Sequence, residues 1–203
     1  MKFSAILPSL NPKADWLMQA LAGCKPFDEV LIHIEHSENY YLVNPNKINR
    51  LIELAIGDWI CLIFDDDWFD PKALQQAMDF AKKSNADVIV TPFFQVQEDR
   101  IYIEGEKNID DSIYKENYMN PANLFRKSMW DKLKPQDKYA GDWIYWVKTW
   151  RAGFKFEYLD VPYFYHRVRA DSACRVEYKD FGNDFEKYRQ HFLKQVGAEN
   201  ENR

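Results

Sequence analysis

The chain has 203 residues, 46% hydrophobic and 29% charged, a balance typical of a soluble globular fold and unlike that of a disordered segment. A net charge of −5 argues against a protein built to grip nucleic acid backbones. The longest apolar run, Trp59 to Phe64, is far short of the ~20 residues that cross a bilayer, and the N-terminal apolar stretch, cut by Pro8, is too short for a signal peptide.

Phe3 to Leu7 reads as a buried strand entering a loop at Pro8, Ser9 and Asn11. Asp15 to Ala22 has helical spacing and stops at Gly23. Glu29 to Ile34 is a second strand. Asn46 to Ile56 is a helix with Ile48, Leu51, Ile52 and Ala55 on one face. Trp59 to Phe64 is a third strand, apolar throughout as a central parallel strand is. Pro71 to Lys83 is a helix with Pro in its first turn, and Asp87 to Thr91 is a fourth strand. This β-α-β-α-β-α-β order predicts an open, mostly parallel α/β sheet with helices on both faces. Beyond Pro92 the rhythm changes. A hairpin is predicted over Phe93 to Ile103, helices over Ala122 to Leu133 and Asp142 to Ala152, short strands over Phe154 to Leu159 and Tyr163 to Arg167, and a helix over Phe181 to Val196. Three cysteines without CxxC spacing (Cys24, Cys61, Cys174) predict reduced thiols in a cytoplasmic protein.

In open parallel sheets, ligands bind beyond the carboxyl ends of the strands. The first strand ends in Ser9 and Asn11, the second in Glu35, His36 and Ser37, the third in Asp65-Asp66-Asp67. Three adjacent carboxylates repel one another and raise each other's pKa unless a cation sits among them. A hard divalent ion takes one or two carboxylates together with phosphate oxygens. Helix capping by Asp67 or Asp70 accounts for one of these acids, not for three.

With these segments in place, the chain resembles a family 2 glycosyltransferase of the GT-A fold from Phe3 to about Ser172. The stretch Phe3 to Asn11 resembles the family's first strand with its Pro-Ser/Thr-x-Asn end, which implies that Pro8, Ser9 and Asn11 border the nucleotide. Glu35 stands where the family carries an Asp that reads the base. Asn46 to Arg50 resembles its Ala-Arg-Asn helix, with Lys47 or Arg50 serving for the Arg. Phe64 to Pro71 resembles the Asp-x-Asp-Asp-x-x-x-Pro segment. Counted back from Pro71 without a gap, Asp66 and Asp67 are the metal pair, Asp66 foremost, and Asp65 faces ribose or sugar. A shifted register makes the pair Asp65 and Asp67. Gly141-Asp142-Trp143 resembles the Glu-Asp-Trp helix start, which makes Asp142 the catalytic base, with a helix N-cap as its alternative role. Tyr163 to Ser172 resembles Tyr-Tyr-Tyr-Arg-x-His-x-x-Ser, which makes Arg167 and Arg169 ligands of the diphosphate.

The resemblance implies one domain over 1–203. Residues 1–92 form its nucleotide-binding half, 93–172 its acceptor side with the base, and 173–203 a terminal helix and tail. It also implies Mn²⁺ or Mg²⁺ as cofactor, a nucleotide-sugar donor, UDP-linked, and transfer with inversion to a hydroxyl of a glycan, a lipid-linked glycan or another acceptor; a nucleic acid acceptor is disfavoured. Such a protein works in the cytoplasm or peripherally at the inner membrane face. A nucleotidyltransferase would show a Gly-rich phosphate loop after the first strand, and Pro8 to Pro12 has none. The other alternative is a binding module without turnover. His33, His166 and His191 are expected to be structural or on the surface, and Trp143 and Trp146 to pack in the core or cleft wall.

Overall fold

The computed structural model describes residues 1–36, 45–105, 107, 109–133, 141–169, 179, 182 and 184–197. In chain order the elements are β1 (Phe3–Leu10), α1 (Ala14–Gly23), β2 (Glu29–Glu35), α2 (Pro45–Leu54), β3 (Trp59–Leu62), β4 (Trp68–Phe69), α3 (Pro71–Lys83), β5 (Val88–Val90), β6 (Phe93–Gln97) and β7 (Arg100–Glu104). A 3₁₀ turn at Asp111–Tyr114 follows, then β8 (Leu124–Arg126), α4 (Lys127–Leu133), α5 (Gly141–Arg151), β9 (Phe156–Tyr158), β10 (Phe164–Arg167) and α6 (Phe185–Val196).

A six-stranded sheet runs in the order β2-β1-β3-β8-β5-β9. β1 is parallel to both β2 and β3, and β5 is parallel to β9. Side chains alternate across a strand, and here the alternation separates two cores. Ile6, Ile60 and Phe125 pack with Ile52, Trp130, Trp146 and Phe192 on the α2, α4, α5 and α6 side. Ala5, Leu7, Cys61 and Leu124 pack with Ala20, Leu74 and Met78 on the α1 and α3 side. Trp143 and Trp146 are both buried, and Trp143 stacks on Phe192 at 3.8 Å.

Three strands depart from the sequence expectation. Residues 122–133 do not form one helix. Leu124 and Phe125 point into opposite cores with the period of a strand, and β8 pairs antiparallel with both β3 and β5. Side chains fix that start: Asn123 Oδ1 accepts the Thr91 N–H at 3.2 Å, and Asn120 Nδ2 donates to the Thr91 carbonyl at 3.1 Å, tying the segment to the end of β5. Only then does α4 begin. The third strand also ends at Leu62 rather than Phe64, and Trp68–Phe69 forms an unexpected short strand, β4.

β4 belongs to a second sheet of order β4-β10-β6-β7. It pairs antiparallel with β10, Phe69 opposite Phe164 and Trp68 opposite Tyr165, which lays β10 against the acid run. Gly23 closes α1 against the same strand. A Cβ there would lie 2.8 Å from the Phe69 nitrogen, so only glycine allows this approach. Cys24 and Cys61 are buried free thiols, and burial pushes Cys24 up to about 12, so it is inert; Cys174 lies outside the described residues.

Candidate active site

The site opens where β1 and β3 part. β1 pairs with β2 as far as Leu10, opposite Glu35, but with β3 only as far as Ile6, opposite Leu62. Pro8 lies just past this point. In β1 the even-numbered residues turn their backbone polar groups towards β3, as the Ile63 N–H to Ile6 carbonyl bond at 3.0 Å shows. The donor that Pro8 lacks therefore falls where no rung exists, which is how a proline sits inside this strand. The strand order also reverses here, the switch point at which open α/β sheets bind ligands.

Ser9 is buried in this crevice beside Asp65. Asn11 follows in the left-handed region at φ 52°, and its N–H donates to the Glu35 carbonyl at 2.9 Å. The Pro8, Ser9, Asn11 and Glu35 positions thus share one edge. Glu35 Oε2 lies 3.8 Å from His33 Nε2. Lys47 is exposed in the first turn of α2. Asn49, two residues on, is turned inward, where its Oδ1 accepts from Trp130 Nε1 at 2.8 Å.

The four acids after β3 have separate places. Asp70 caps α3, accepting the N–H groups of Lys72 and Ala73 with Pro71 at the first helical position. Asp67 is 1% exposed, and its Oδ1 accepts the Arg167 N–H at 2.9 Å and lies 3.2 Å from His166 Nδ1. It pins β10 to the acid run. Asp66 lies 3.3 Å from Arg169 Nε. Burial, then the charge of Asp67, pushes the Asp66 carboxyl up to about 6 against the pull of Arg169. Burial likewise raises Asp65, opposed by its own N–H, Ser9 and Arg169.

The two arginines differ. Arg167 stands between the rings of Trp16 and Trp68, each 4.8 Å from its guanidinium carbon. Its Nε donates to the Asp66 carbonyl at 3.0 Å and a terminal nitrogen to Gln19 Oε1 at 2.9 Å, so it braces the acid run against α1. Arg169 is the cation on the Asp66 carboxylate itself, 5.0 Å above Trp16.

Asp142 opens α5, half-buried, and accepts from Asn117 Nδ2 at 3.0 Å. Burial raises its pKa, opposed by Asn117, by backbone N–H groups and by the nearby His166. Burial pulls His166 down, but Asp67, Asp66 and Asp142 together outweigh it, and its pKa is raised. His166 thus contacts Asp67 at 3.2 Å and feels the charges of Asp66 and Asp142 at longer range. The sequence reading gave it no part in the site, nor did it find Trp16, Gln19 or Asn117. The only signal for His166 was its place beside Arg167.

These residues fit a hard divalent cation in a limited way. Asp66 offers carboxylate oxygen in a half-buried place where a positive charge is favourable, and a guanidinium already takes advantage of it. Among the described residues, no three of His, Cys, Asp and Glu converge as a ligand set. The described residues thus supply too few donors to hold an ion alone, and their donor set suits one completed by phosphate oxygens.

A six-stranded, mostly parallel α/β sheet with helices on both faces and a crevice at the switch point between β1 and β3 is a GT-A type fold. The chain belongs to glycosyl transferase family 2, whose model matches residues 18–150. No curated protein matches the sequence. Among solved structures, S. aureus TarS 1–349 in complex with UDP-GlcNAc is similar, with TM-score 0.62 and 17% identity over 83% of this chain and 59% of that one. The complex of TarS 1–349 with UDP is similar with TM-score 0.65 and 17% identity over 98% and 65%. TarS in a longer form gives TM-score 0.65 and 16% identity over 98% and 43%. The chain therefore spans about two-thirds or less of the length of these structures.

Proposed function

We propose that the protein transfers a sugar from a nucleotide-sugar, UDP-linked, to an acceptor hydroxyl with inversion at the anomeric carbon. The observation that carries this reading is the acid run after β3, held by His166, Arg167 and Arg169, with Asp65 beside Ser9 at the parting of β1 and β3 and Asp142 within electrostatic reach of His166. The UDP and UDP-GlcNAc complexes of the TarS structures support a uridine donor.

In this scheme Pro8, Ser9, Asn11 and Glu35 border the base and ribose, with Asp65 next to Ser9 at the ribose or sugar and Lys47 at the nucleotide's outer edge. Asp66 would hold Mn²⁺ or Mg²⁺, and Asp67 holds the loop that presents it. When bound, such an ion would supply positive charge near the departing diphosphate. Arg169 can pass from the Asp66 carboxylate to a phosphate oxygen, with Arg167 bracing the loop behind it. The acceptor oxygen bonds to the anomeric carbon, the bond from that carbon to the phosphate oxygen breaks, and the nucleoside diphosphate leaves. Asp142 takes the acceptor proton. Its raised pKa makes it a better base than an exposed aspartate, provided that it is ionised. One base and one displacement give inversion.

The acceptor is a glycan, a lipid-linked glycan or another hydroxyl compound, with nucleic acid disfavoured by the net charge of −5. Among the described residues no helix is long and apolar enough to cross a membrane; we place the protein in the cytoplasm or at the inner membrane face. The test is a panel of nucleotide-sugars incubated with Mn²⁺, with release of the nucleoside diphosphate followed by NMR. Release from one uridine donor, lost at Asp142→Asn, is the expected result. Binding without release or transfer would favour a module without turnover, and consumption of added pyrophosphate with formation of a nucleoside triphosphate and a sugar 1-phosphate would favour a nucleotidyltransferase.

A further inference from the structure

β7 is the outer strand of the second sheet, and all five of its residues are exposed. Ile101 is 59% and Ile103 65% exposed, an unusual state for two isoleucines on one strand. An exposed apolar edge is a template for another strand, and proteins ordinarily guard it with charge, proline or a bulge. β7 has no proline, and its register with β6 is unbroken from Arg100 to Glu104.

The hairpin fixes which backbone groups are offered. Gln97 and Arg100 flank a two-residue turn, with Glu98 at φ 55° as the first turn residue of a tight hairpin requires. The pair closing such a turn is hydrogen-bonded, and hydrogen-bonded and open pairs then alternate. Arg100, Tyr102 and Glu104 thus spend their backbone groups on β6. Ile101 and Ile103 turn theirs outward.

The sequence of the strand, Arg-Ile-Tyr-Ile-Glu, is self-complementary when laid antiparallel on itself. We infer that β7 pairs with β7 of a second copy of this chain about a two-fold axis at Tyr102. Ile101 then faces Ile103 of the other copy as a hydrogen-bonded pair, and the reverse pair is equivalent. The two Tyr102 residues form the open pair on the axis. Arg100 meets Glu104 at one end and Glu104 meets Arg100 at the other. No other register places both charges opposite their complements while matching the outward backbone groups. Cross-strand partners share a face, so the four isoleucines join Phe94 and Val96 of each copy on one side of the sheet. The other side carries the tyrosines and the ion pairs. The result is a continuous eight-stranded sheet with no free edge at β7.

Sedimentation velocity over a range of protein concentrations tests this directly, and a dimer is expected. Arg100→Glu places like charges opposite each other at both ends and is expected to weaken the dimer about tenfold or more. The double variant Arg100→Glu with Glu104→Arg restores the pairs and the dimer. Tyr102→Cys is expected to cross-link under mild oxidation, because its two copies face each other, whereas Arg100→Cys, whose copies lie four residues apart along the strand, stays monomeric on a non-reducing gel. Circular dichroism checks that each variant is folded. A wild-type protein that stays monomeric at the highest concentration reached overturns the inference. So does a charge reversal that fails to restore association, or equal cross-linking at the two positions, which would mean that the copies meet in another register.

Discussion

Asp67 offers the sharpest test of how the acid run is built. Were it an open metal ligand, its removal would leave the ion-free protein as stable as before, or slightly more so by relieving Asp66. Its position argues otherwise. Asp67→Ala strands the Arg167 N–H, bonded at 2.9 Å, and the His166 ring nitrogen at 3.2 Å, in a place where the lost carboxylate was 1% exposed. A buried donor left without a partner costs about 1–3 kcal/mol, so two cost about 2–6 kcal/mol. Relief of the repulsion on Asp66 returns roughly 1 kcal/mol. The net loss is about 1–5 kcal/mol, which in a chain of this size lowers Tm by roughly 2–20 °C. Asp67→Asn keeps an acceptor oxygen and is expected to lose less than about 1 kcal/mol. Thermal unfolding in excess EDTA separates this effect from any ion. A Tm for Asp67→Ala within about 1 °C of wild type, or equal losses for Ala and Asn, would refute the anchoring role.

Asp142→Asn is expected to leave donor affinity nearly unchanged and to lower the transfer rate by roughly two to four orders of magnitude; single-turnover kinetics on folded protein reads this. Because Asp142 must be ionised to accept a proton and its pKa is raised, the rate should fall with decreasing pH at a value above the usual aspartate range; a flat profile down to that range would remove Asp142 as base. Asp66→Ala should abolish ion-dependent donor binding in calorimetry while the circular dichroism spectrum stays native, whereas full activity in EDTA would discard the ion. Gly23→Ala is expected to destabilise the protein, since a Cβ there meets the Phe69 backbone at 2.8 Å, and a chemical denaturation curve unchanged from wild type would contradict that packing.

The legible part of the fold lay where local signals agree with tertiary placement. α3 occupies the predicted Pro71–Lys83 because Asp70 caps it and Pro71 starts it, both local chemistry. β1, β2 and β3 announce themselves as apolar runs ended by polar residues. β8 and β4 could not be read in this way. Each has three residues or fewer, and each is a strand only because a distant segment pairs with it, Thr91 and β5 for one and β10 for the other. The same holds for the site. The acid run was visible as composition, but the division of labour among Asp65, Asp66, Asp67 and Asp70 depends on where β10 lies, one hundred residues away in the chain. The pairing of Arg169 with Asp66 has no local signal at all, and that of His166 with Asp67 has none beyond its place beside Arg167.

Pro8 has a mechanical consequence. The next rung between β1 and β3 would run from the nitrogen of residue 8 to the Ile63 carbonyl, continuing the ladder that ends at Ile6. With an amide hydrogen at that point, the two strands could zip one step further and draw Phe64 and Asp65 towards Ser9. Proline withholds that hydrogen, so the gap is held open by a missing donor rather than by a bulky side chain acting as a wedge. The cleft keeps its width without filling any of the space a ligand needs.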